Sequence, residues 1–262
     1  MKQTRQTDSG QMRLGAGAGF AGDRLEPAVE LVEHGSLDVL VFELLAERTI
    51  ALAQRRVRSG SGPGFDDRLL ERMEAVLPAA LRQRTRIITN GGAADPRGAG
   101  LAIRDLARKL GLRCRVAVVT GDDVLERLDL QTATLLETGQ PLADFRERLI
   151  SANAYLGVAP ILEALRAEPD VIVAGRTSDA ALFLAPLVHA FGWAADDWDM
   201  LAQGTVVGHL LECAGQLTGG YFADGIRKHM PNLARLGFPF ADVRADGSAV
   251  VSKLPQAGGR VD

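Results

Sequence analysis

One stretch of the sequence concentrates side chains that can transfer protons or attack a substrate. Within residues 204–224, His209, Glu212, Cys213 and Gln216 follow one another at offsets of three, four and seven from the histidine. If this stretch is a single helix, those offsets place all four side chains on one face. An imidazole, a carboxylate and a thiol together suit acid–base or nucleophilic chemistry. We therefore predict catalytic roles for His209, Glu212 and Cys213, and a substrate-binding role for Gln216.

Two other interpretations of this face stay open. His209 with Glu212 or Cys213 has the spacing of a metal-binding pair, so a divalent metal is possible. The other histidines lie in unrelated parts of the sequence, no third ligand is evident, and we assign no metal ligand. Alternatively, the polar face packs against a neighbouring helix or subunit. The opposite, apolar stripe of the same predicted helix consists of Val206, Val207, Leu210, Leu211, Ala214 and Leu217.

Strand-like and helix-like segments alternate along the chain, and this alternation predicts the fold that positions these groups. Strands are predicted at residues 12–14, 37–42, 86–89, 114–120 and 171–174, with helices between them and Asp122 as the cap of one helix. The strands are continuous apolar runs, which are typical of a parallel sheet covered on both faces. We predict an α/β fold with a doubly wound, mostly parallel sheet and helices on both faces.

The end of the chain has a different character. Residues 242–253 are predicted to form a β-hairpin that turns at Asp246-Gly247. We therefore expect a disordered leader (residues 1–10), an α/β core domain (residues 11–200) and a C-terminal extension of helix plus hairpin (residues 201–262).

Ligands of open parallel sheets bind at the carboxyl ends of the strands, and polar residues follow several predicted strands here. Glu43 ends the second strand and is a candidate general base, although with Glu47 it could simply complement the helix dipole. Asn90 follows the next strand as a candidate donor to a substrate carbonyl. The glycines after it, Gly91 and Gly92, would let a substrate approach the backbone, or could form a plain turn.

A later strand is followed by Gly175-Arg176-Thr177-Ser178-Asp179. An arginine after a buried strand needs a partner, which could be Asp179, Glu43 or a substrate carboxylate. We predict substrate binding by Arg176 and Asp179. Asn153, in an otherwise apolar stretch, is a weaker candidate of the same kind.

The glycine-rich segment 17–22 matches the G-x-G-x-x-G fingerprint of dinucleotide-binding proteins, and Glu43 lies at the spacing of its acidic residue. Pro27 would fall inside the helix that the fingerprint requires, which argues against NAD as a cofactor. The sequence from Asp23 to Glu26 reads instead as a capping box. We predict that Gly17, Gly19, Gly22 and Asp23 belong to a loop that binds an anionic substrate group.

Composition limits the classes of function. The chain has 262 residues and a formal net charge of −3, which gives no reason to expect nucleic acid or an anionic membrane as a partner. Two cysteines without CxxC spacing indicate a reducing compartment. Since neither a long apolar run nor a signal-peptide pattern is present, we predict a cytoplasmic location.

Several motifs together resemble the acyclic terpene utilisation (AtuA-like) family over nearly the whole chain after the leader. They are the segments 19–24 (GFAGDR), 45–47 (LAE), 89–92 (TNGG), 152–157 (ANAYLG), 175–180 (GRTSDA), 191–193 (FGW) and 208–213 (GHLLEC). The resemblance implies bacterial catabolism of citronellol- and geraniol-type terpenes through acyl-CoA intermediates. It also implies carbon–carbon lyase chemistry on a branched 3-hydroxyglutaryl-CoA. Family members continue past Gly258-Gly259, which implies a missing C-terminal part.

The resulting prediction is a catabolic enzyme, of the C–C lyase or hydratase type, acting on a small carboxylate or branched acyl-CoA. One alternative is a non-catalytic or incomplete subunit, and another is a nucleotide-binding module. The expected partners are the small-molecule substrate and either a second copy of the chain or a subunit that supplies the missing part.

Overall fold

The computed structural model describes residues 10–261, so residues 1–9 of the predicted leader lie outside the described part. Seven strands form one mixed sheet. The strands are β1 (Gln11–Ala18), β2 (Val39–Phe42), β3 (Arg86–Thr89), β4 (Val116–Val119), β5 (Val171–Ala174), β6 (Pro239–Arg244) and β7 (Ala249–Lys253).

Helices connect the strands. They are α1 (Glu26–His34), α2 (Glu47–Ser59), α3 (Leu69–Gln83), α4 (Pro96–Lys109), α5 (Val158–Arg166), α6 (Ala181–Phe191) and α7 (Trp198–Glu212). Helices α1, α3 and α4 contact one another in series, and α5, α6 and α7 form a second series. The sheet lies between these two layers, which confirms the predicted helices on both faces.

The strands follow the order β4-β5-β3-β2-β1-β6-β7. From β1 to β5 every neighbouring pair is parallel, whereas β6 and β7 add an antiparallel hairpin next to β1. The predicted α/β class and C-terminal hairpin are therefore confirmed. Parallel pairing brings the carboxyl ends of β1, β2, β3 and β5 to one edge of the sheet, in adjacent positions.

The central strands form the core because they are apolar on both faces. Every residue of β2 and of β5 is buried, and Ile87 and Ile88 of β3 are inaccessible to solvent. A buried aliphatic side chain of this size stabilises the folded state by about 1.5–3 kcal/mol. This core fixes the positions of the polar residues that follow the strands.

The predicted strand after the leader is longer than expected. β1 continues through Gly15 and Gly17 to Ala18. Gly17 is therefore a strand residue, and a Cβ at this position would lie 2.7 Å from Cε1 of Phe42. The loop predicted to begin at Gly17 begins at Gly19, because β1 extends to Ala18. Position 17 requires a glycine for packing, since the Phe42 side chain fills the space that a larger residue would need.

The helix predicted within residues 204–224 was also placed wrongly. α7 begins at Trp198 and ends at Glu212, and a 3-10 turn follows over Ala214–Gln216. Of its predicted apolar stripe, Val207 and Leu211 are buried, whereas Val206 and Leu210 are exposed. The helix starts earlier because Asp197 caps it, with its side chain accepting from the Met200 N–H at 3.2 Å.

The helix predicted after β4 is not formed. The chain there runs through two 3-10 segments, Leu125–Arg127 and Leu142–Arg148. Asp122 is buried instead of capping a helix, and it binds the backbone that follows β5.

The hairpin continues the main sheet. Its turn contains Gly247 at a φ of +81°, as expected for the predicted Asp246-Gly247 turn. β6 pairs with β1, and Arg13 forms an ion pair with Asp242 at 2.7 Å. The division at residue 200 stays a prediction, but core and extension share one sheet. Among residues 10–261 no helix has the length and apolar character needed to span a bilayer.

Candidate active site at the carboxyl edge of the sheet

Four neighbouring strands end at the same edge of the sheet, and polar side chains follow three of them. In spatial order, Arg176 lies after β5, Asn90 after β3, Glu43 after β2 and Gly19 after β1. This is the edge at which α/β proteins bind their ligands. Glu43, Asn90 and Arg176 are all buried there.

Glu43 and Asn90 form a hydrogen-bonded pair. The Asn90 side-chain amide donates to Glu43 Oε1 at 2.7 Å, and the backbone N–H of Leu45 donates to the same oxygen at 3.0 Å. The other side of the amide, Asn90 Oδ1, accepts from the Leu44 N–H at 2.8 Å. The contacts of Asn90 therefore orient the Glu43 carboxyl group. The predicted donation by Asn90 to a substrate carbonyl stays a prediction.

Burial raises the pKa of Glu43 to about 7. The hydrogen bond from Asn90 lowers it and the negative charge of Asp179 raises it, but loss of hydration is the largest cause. A carboxyl group with this pKa is present in both protonation states near neutral pH. It can therefore accept a proton in one step of a reaction and return it in another.

Arg176 is held on several sides. One Nη donates to the Leu45 carbonyl and the other to Asp179 Oδ1, and the guanidinium lies 4.0 Å from the centre of the Tyr155 ring. Of the partners that the sequence allowed for Arg176, the structure shows Asp179. Arg176 Nε is buried and has no hydrogen-bond partner within residues 10–261, so one donor remains for a ligand. Binding of a substrate carboxylate by Arg176 stays a prediction.

Tyr155 extends this arrangement to α2. Its hydroxyl donates to Glu47 Oε1, while its ring stacks on Arg176. This hydrogen bond lowers the pKa of Glu47. Glu47, Tyr155 and Arg176 therefore form a continuous wall from the first turn of α2 to the end of β5.

Asn153 and Asp122 hold the long segment between β4 and α5 against β5. Asp122 Oδ2 accepts from the Arg176 backbone N–H at 2.8 Å and from Asn153 Nδ2 at 3.0 Å. Asn153 is thus linked to Arg176 through one carboxylate. Its contacts place Tyr155 beside the site, and its direct binding of substrate stays a prediction.

The end of α7 brings a second carboxyl group to the site. His209 Nδ1 lies 2.8 Å from Glu212 Oε1. Burial raises the pKa of Glu212, the hydrogen bond with His209 opposes this, and the charge of Asp179 adds to it. The His209 side chain is 60% exposed, whereas that of Glu212 is 15% exposed. The pair therefore connects solvent to the interior of the site.

Cys213 lies just beyond this pair. Burial raises the pKa of its thiol, and the carboxylates of Glu212, Glu43 and Asp179 raise it further. The Cys213 backbone lies directly against Gly19, so the end of α7 adjoins the end of β1. A thiol in this field stays protonated near neutral pH, which disfavours a thiolate nucleophile. The predicted catalytic role of Cys213 stays a prediction.

Gln216 does not share the face of His209 and Glu212. It lies in the 3-10 turn after α7 and is exposed. The chain leaves the helical path at Cys213, so the offset of seven no longer corresponds to two helical turns. Gln216 binding of substrate stays a prediction.

Gly19 is where the first strand meets the end of α7. An added Cβ would lie 2.7 Å from the carbonyl carbon of Cys213 and 2.9 Å from the carbonyl oxygen of Glu212. Only glycine allows this approach without a shift of the backbone. The approach sets the distance between the glycine loop and the pair formed by His209 and Glu212.

The loop from Gly19 to Asp23 is closed by its own aspartate. Asp23 accepts from the Gly19 N–H at 3.0 Å and from the Arg24 N–H at 2.8 Å. The predicted capping box is wrong, because α1 has Leu25 as its N-cap without a side-chain hydrogen bond. Pro27 lies in the first turn of α1, as predicted. Gly22 is exposed, and anion binding by the loop stays a prediction.

Gly91 and Gly92 let the end of β3 pass close to its neighbours. An added Cβ at Gly92 would lie 2.6 Å from the Ala174 carbonyl oxygen, to which the Gly92 N–H donates. At Gly91 it would lie 2.8 Å from Cδ1 of Leu44. These contacts explain both glycines by close packing. Their predicted contact with substrate stays untested.

Sequence reasoning missed Arg72. This arginine of α3 is fully buried, and its Nη2 donates to the carbonyls of Ala21 and Asp23 in the glycine loop. Its Nε and Nη1 have no hydrogen-bond partner among the described residues. The signal was an arginine on the buried stripe that Leu69, Met73 and Val76 form on α3. The structural roles of Asp122 and Tyr155 were missed as well, because neither is predictable from local spacing.

Metal binding gains no support from the described residues. Within residues 10–261, no three His, Cys, Asp or Glu side chains are grouped so that they could hold a metal ion. The fold and the site together define an α/β protein with paired titratable carboxyl groups at the carboxyl edge of its sheet.

The model of the acyclic terpene utilisation family protein AtuA matches residues 12–262. The chain belongs to this family, as the sequence motifs predicted. No curated protein and no solved structure matches the chain.

Proposed function

We propose that this chain is a catabolic enzyme that catalyses proton-transfer chemistry, of the C–C lyase or hydratase type, on a small carboxylate or branched acyl-CoA. Membership of the acyclic terpene utilisation family supports the metabolic context. The observation that carries the proposal is Glu43, a buried carboxyl group with a pKa of about 7, oriented by Asn90 at the ligand-binding edge of the sheet.

Glu43 is the proposed general base. In a C–C lyase reaction it takes the proton of a substrate hydroxyl group, so that the oxygen forms a carbonyl while the neighbouring carbon–carbon bond breaks. The electron pair of that bond passes to the leaving carbon, which then needs a proton. In a hydratase reaction the same carboxylate takes the proton of water or of the substrate carbon. Both reaction types require two proton-transfer groups, one on each side of the bond that changes.

Glu212 is the proposed second proton-transfer group. Its pKa is raised by burial, and its Oε2 is buried without a hydrogen-bond partner among the described residues. His209 hydrogen-bonds the other oxygen and is exposed, so protons can be exchanged with solvent through it. Arg176 Nε is the proposed anchor for a substrate carboxylate or thioester oxygen.

The test is a thermal-shift screen over branched acyl-CoAs and small diacids, followed by turnover assays on the compounds that raise the melting temperature. E43Q should bind the same compound and fail to turn it over. E74Q replaces an exposed glutamate of α3 and serves as the control. Full activity of E43Q would refute the role of Glu43.

A second candidate function is that of a subunit whose activity requires a second copy of the chain. One face of α7 favours it, because Trp198, Val206 and Leu210 are exposed at helical spacing, 74%, 59% and 40% respectively. Large exposed apolar patches mark interaction surfaces. Light scattering tests this proposal: a monomer that retains full turnover would rule it out, whereas a dimer that V206E dissociates would support it.

A further inference from the structure

A groove of about 610 Å³ lies on the surface at the C-terminal end of α2, away from the carboxyl groups described above. Its polar lining consists of Arg55, Arg56, Arg58, Ser59 and Ser61. No aspartate or glutamate lines it. The groove therefore combines three positive charges with two hydroxyl groups.

The three arginines differ in their contacts. Arg56 is held by the loop after α2, because it donates to the Pro63 carbonyl at 3.2 Å and lies 3.3 Å from Asp67. Arg58 uses Nη1 to bind the carbonyls of Leu149 and Ile150. No carboxylate within residues 10–261 forms an ion pair with Arg55 or Arg58. Two of the three charges are thus available to an anionic ligand.

The serine hydroxyls are ordered beside these charges. Ser59 Oγ lies 2.8 Å from Ser61 Oγ and donates to the Arg55 carbonyl at 2.8 Å. The Arg55 carbonyl takes the only proton of Ser59, so Ser61 is the hydroxyl that can turn toward a phosphate oxygen beside the guanidinium groups. A last-turn arginine also complements the helix dipole, as Arg166 can in α5. One arginine is enough to complement the helix dipole, so the dipole does not explain three arginines around one groove.

Two apolar side chains complete the groove. Leu52 and Ile150 line it and are both more than one-third exposed. Apolar surface next to phosphate-binding groups suits an organic phosphate, whose carbon-containing part covers the leucine and isoleucine, better than it suits a free inorganic ion.

Two segments of the chain lead from this groove to the carboxyl groups. α2 carries Glu47 in its first turn and Arg55 eight residues later, about 12 Å along the helix at a rise of 1.5 Å per residue. The second segment runs from Ile150 at the groove to Tyr155, which contacts Arg176 and Glu47. The two segments are joined at both ends, by Arg58 with Ile150 and by Tyr155 with Glu47.

We propose that this groove binds the phosphate-bearing end of the substrate whose reacting end lies beside Glu43. The proposal rests on the proposed function for the identity of the reacting end. The groove fits an organic phosphate whose linker covers at least the roughly 12 Å of α2 between Arg55 and Glu47. Arg55 and Arg58 bind the phosphate oxygens, and Leu52 with Ile150 contacts the adjacent carbon skeleton.

Calorimetric titration tests this assignment with coenzyme A, ADP and pyrophosphate as probes. We expect coenzyme A to bind to the wild type, and R55Q to weaken this binding about 10-fold, because one charge-assisted contact is lost. R55Q/R58Q should weaken it about 100-fold. Arg55 makes no contact that the fold requires, so R55Q alone keeps the test valid if the double variant does not fold. R166Q, an exposed last-turn arginine of α5, is the matched control and should bind as the wild type does.

Equal affinity of R55Q, R55Q/R58Q and the wild type for coenzyme A would overturn the proposal, as would the absence of binding to the wild type. Pyrophosphate binding as tight as that of coenzyme A would also overturn it, because the groove would then be a plain anion site. The E43Q variant tests the proposed function independently of the groove. If E43Q keeps full turnover while R55Q loses affinity, the proposed function fails and the groove assignment stands.

Discussion

Glu43 at the end of β2 and Glu212 at the end of α7 belong to the same candidate site, but they differ in their hydrogen bonds and in their contact with solvent. Glu43 receives hydrogen bonds from Asn90 and from the Leu45 backbone. Glu212 is hydrogen-bonded by the exposed His209 and interacts with the neighbouring Asp179 carboxyl group, while its Oε2 is buried without a hydrogen-bond partner among the described residues. The first carboxyl group is fixed by the core of the sheet, and the second is connected to solvent.

This difference fits two separate roles, one for a carboxyl group that reacts with substrate and one for a carboxyl group that exchanges protons with solvent. A reacting group benefits from a fixed position, since small displacements lower the rate strongly. A group that returns protons to solvent needs an exposed neighbour instead. Asp179 couples the two, because its charge raises the pKa of both Glu43 and Glu212. Substitutions on the two sides should therefore have different effects on rate, stability and pH dependence.

Replacing Glu43 should have the largest effect. E43Q keeps the size of the side chain but removes the proton acceptor, so kcat should fall by roughly 10²- to 10⁴-fold. Turnover and binding of the best compound from the thermal-shift screen measure this. E212Q should bind substrate equally well and lose less. An equal loss in both variants would contradict the division between the two carboxyl groups.

Replacing Asp179 should have the largest effect on stability. D179N leaves the buried guanidinium of Arg176 without its carboxylate, which should lower the free energy of unfolding by roughly 3 kcal/mol. Loss of the negative charge should also lower the pKa of Glu43 and of Glu212. Urea unfolding measures the first effect. D105N, which removes the carboxylate partner of the exposed Arg104 and Arg108, is the matched control and should cost less than about 1 kcal/mol.

The stability of the protein should depend on pH through Glu43. Its pKa is raised on folding from 4.5 to about 7, so the folded state binds this proton more tightly than the unfolded state does. This contribution is complete below pH 4.5 and is lost as the pH rises through 7. E43Q should therefore gain up to about 3 kcal/mol over the wild type between pH 4.5 and pH 8. Urea unfolding of both proteins across this range measures the difference, and a constant difference would contradict the raised pKa.

Replacing His209 should have a smaller effect, mainly on the pH profile. H209Q removes the exposed proton donor, and kcat should fall by roughly 10-fold while the melting temperature changes little. Because the hydrogen bond from His209 lowers the pKa of Glu212, its loss should move the corresponding limb of the pH–rate profile upward. An unchanged profile would argue against proton transfer through this pair.

Gln216 should be the least sensitive position. It is exposed and lies outside α7, so Q216A should change the free energy of unfolding by less than about 0.5 kcal/mol and leave turnover unchanged. A fall in kcat comparable to that of H209Q would instead support the prediction that Gln216 acts together with His209 and Glu212.

The sequence was most informative for the central strands. The bounds of β3 and β5 were predicted to the residue, because turn-forming residues follow each short run, Asn90-Gly91-Gly92 after β3 and Gly175 after β5. β1 was predicted too short, since Gly15 and Gly17 resemble a turn until the Leu37 and Phe42 side chains that cover them are known. Local propensity cannot supply such contacts from distant parts of the chain.

The same limit applies to the site. Placing Glu43, Asn90 and Arg176 at one edge follows from parallel strands alone. That Arg176 pairs with Asp179, or that Arg72 binds the glycine loop, depends on the rotation and spacing of elements far apart in sequence. The approach of Gly19 to Cys213 likewise requires α7 to end where it does.

The position of β1 between β2 and β6 has a consequence for synthesis. Arg13 and its partner Asp242 are 229 residues apart. At translation rates of roughly 5–20 residues per second, one edge of β1 therefore stays without its neighbour for about 10–45 s. Glycine and alanine make up all of its second half, which reduces its tendency to pair with other strands in that interval. Ribosome-bound chains stalled before Pro239 should leave β1 accessible to protease. Once the hairpin has emerged and β6 has paired with β1, cleavage in β1 should stop.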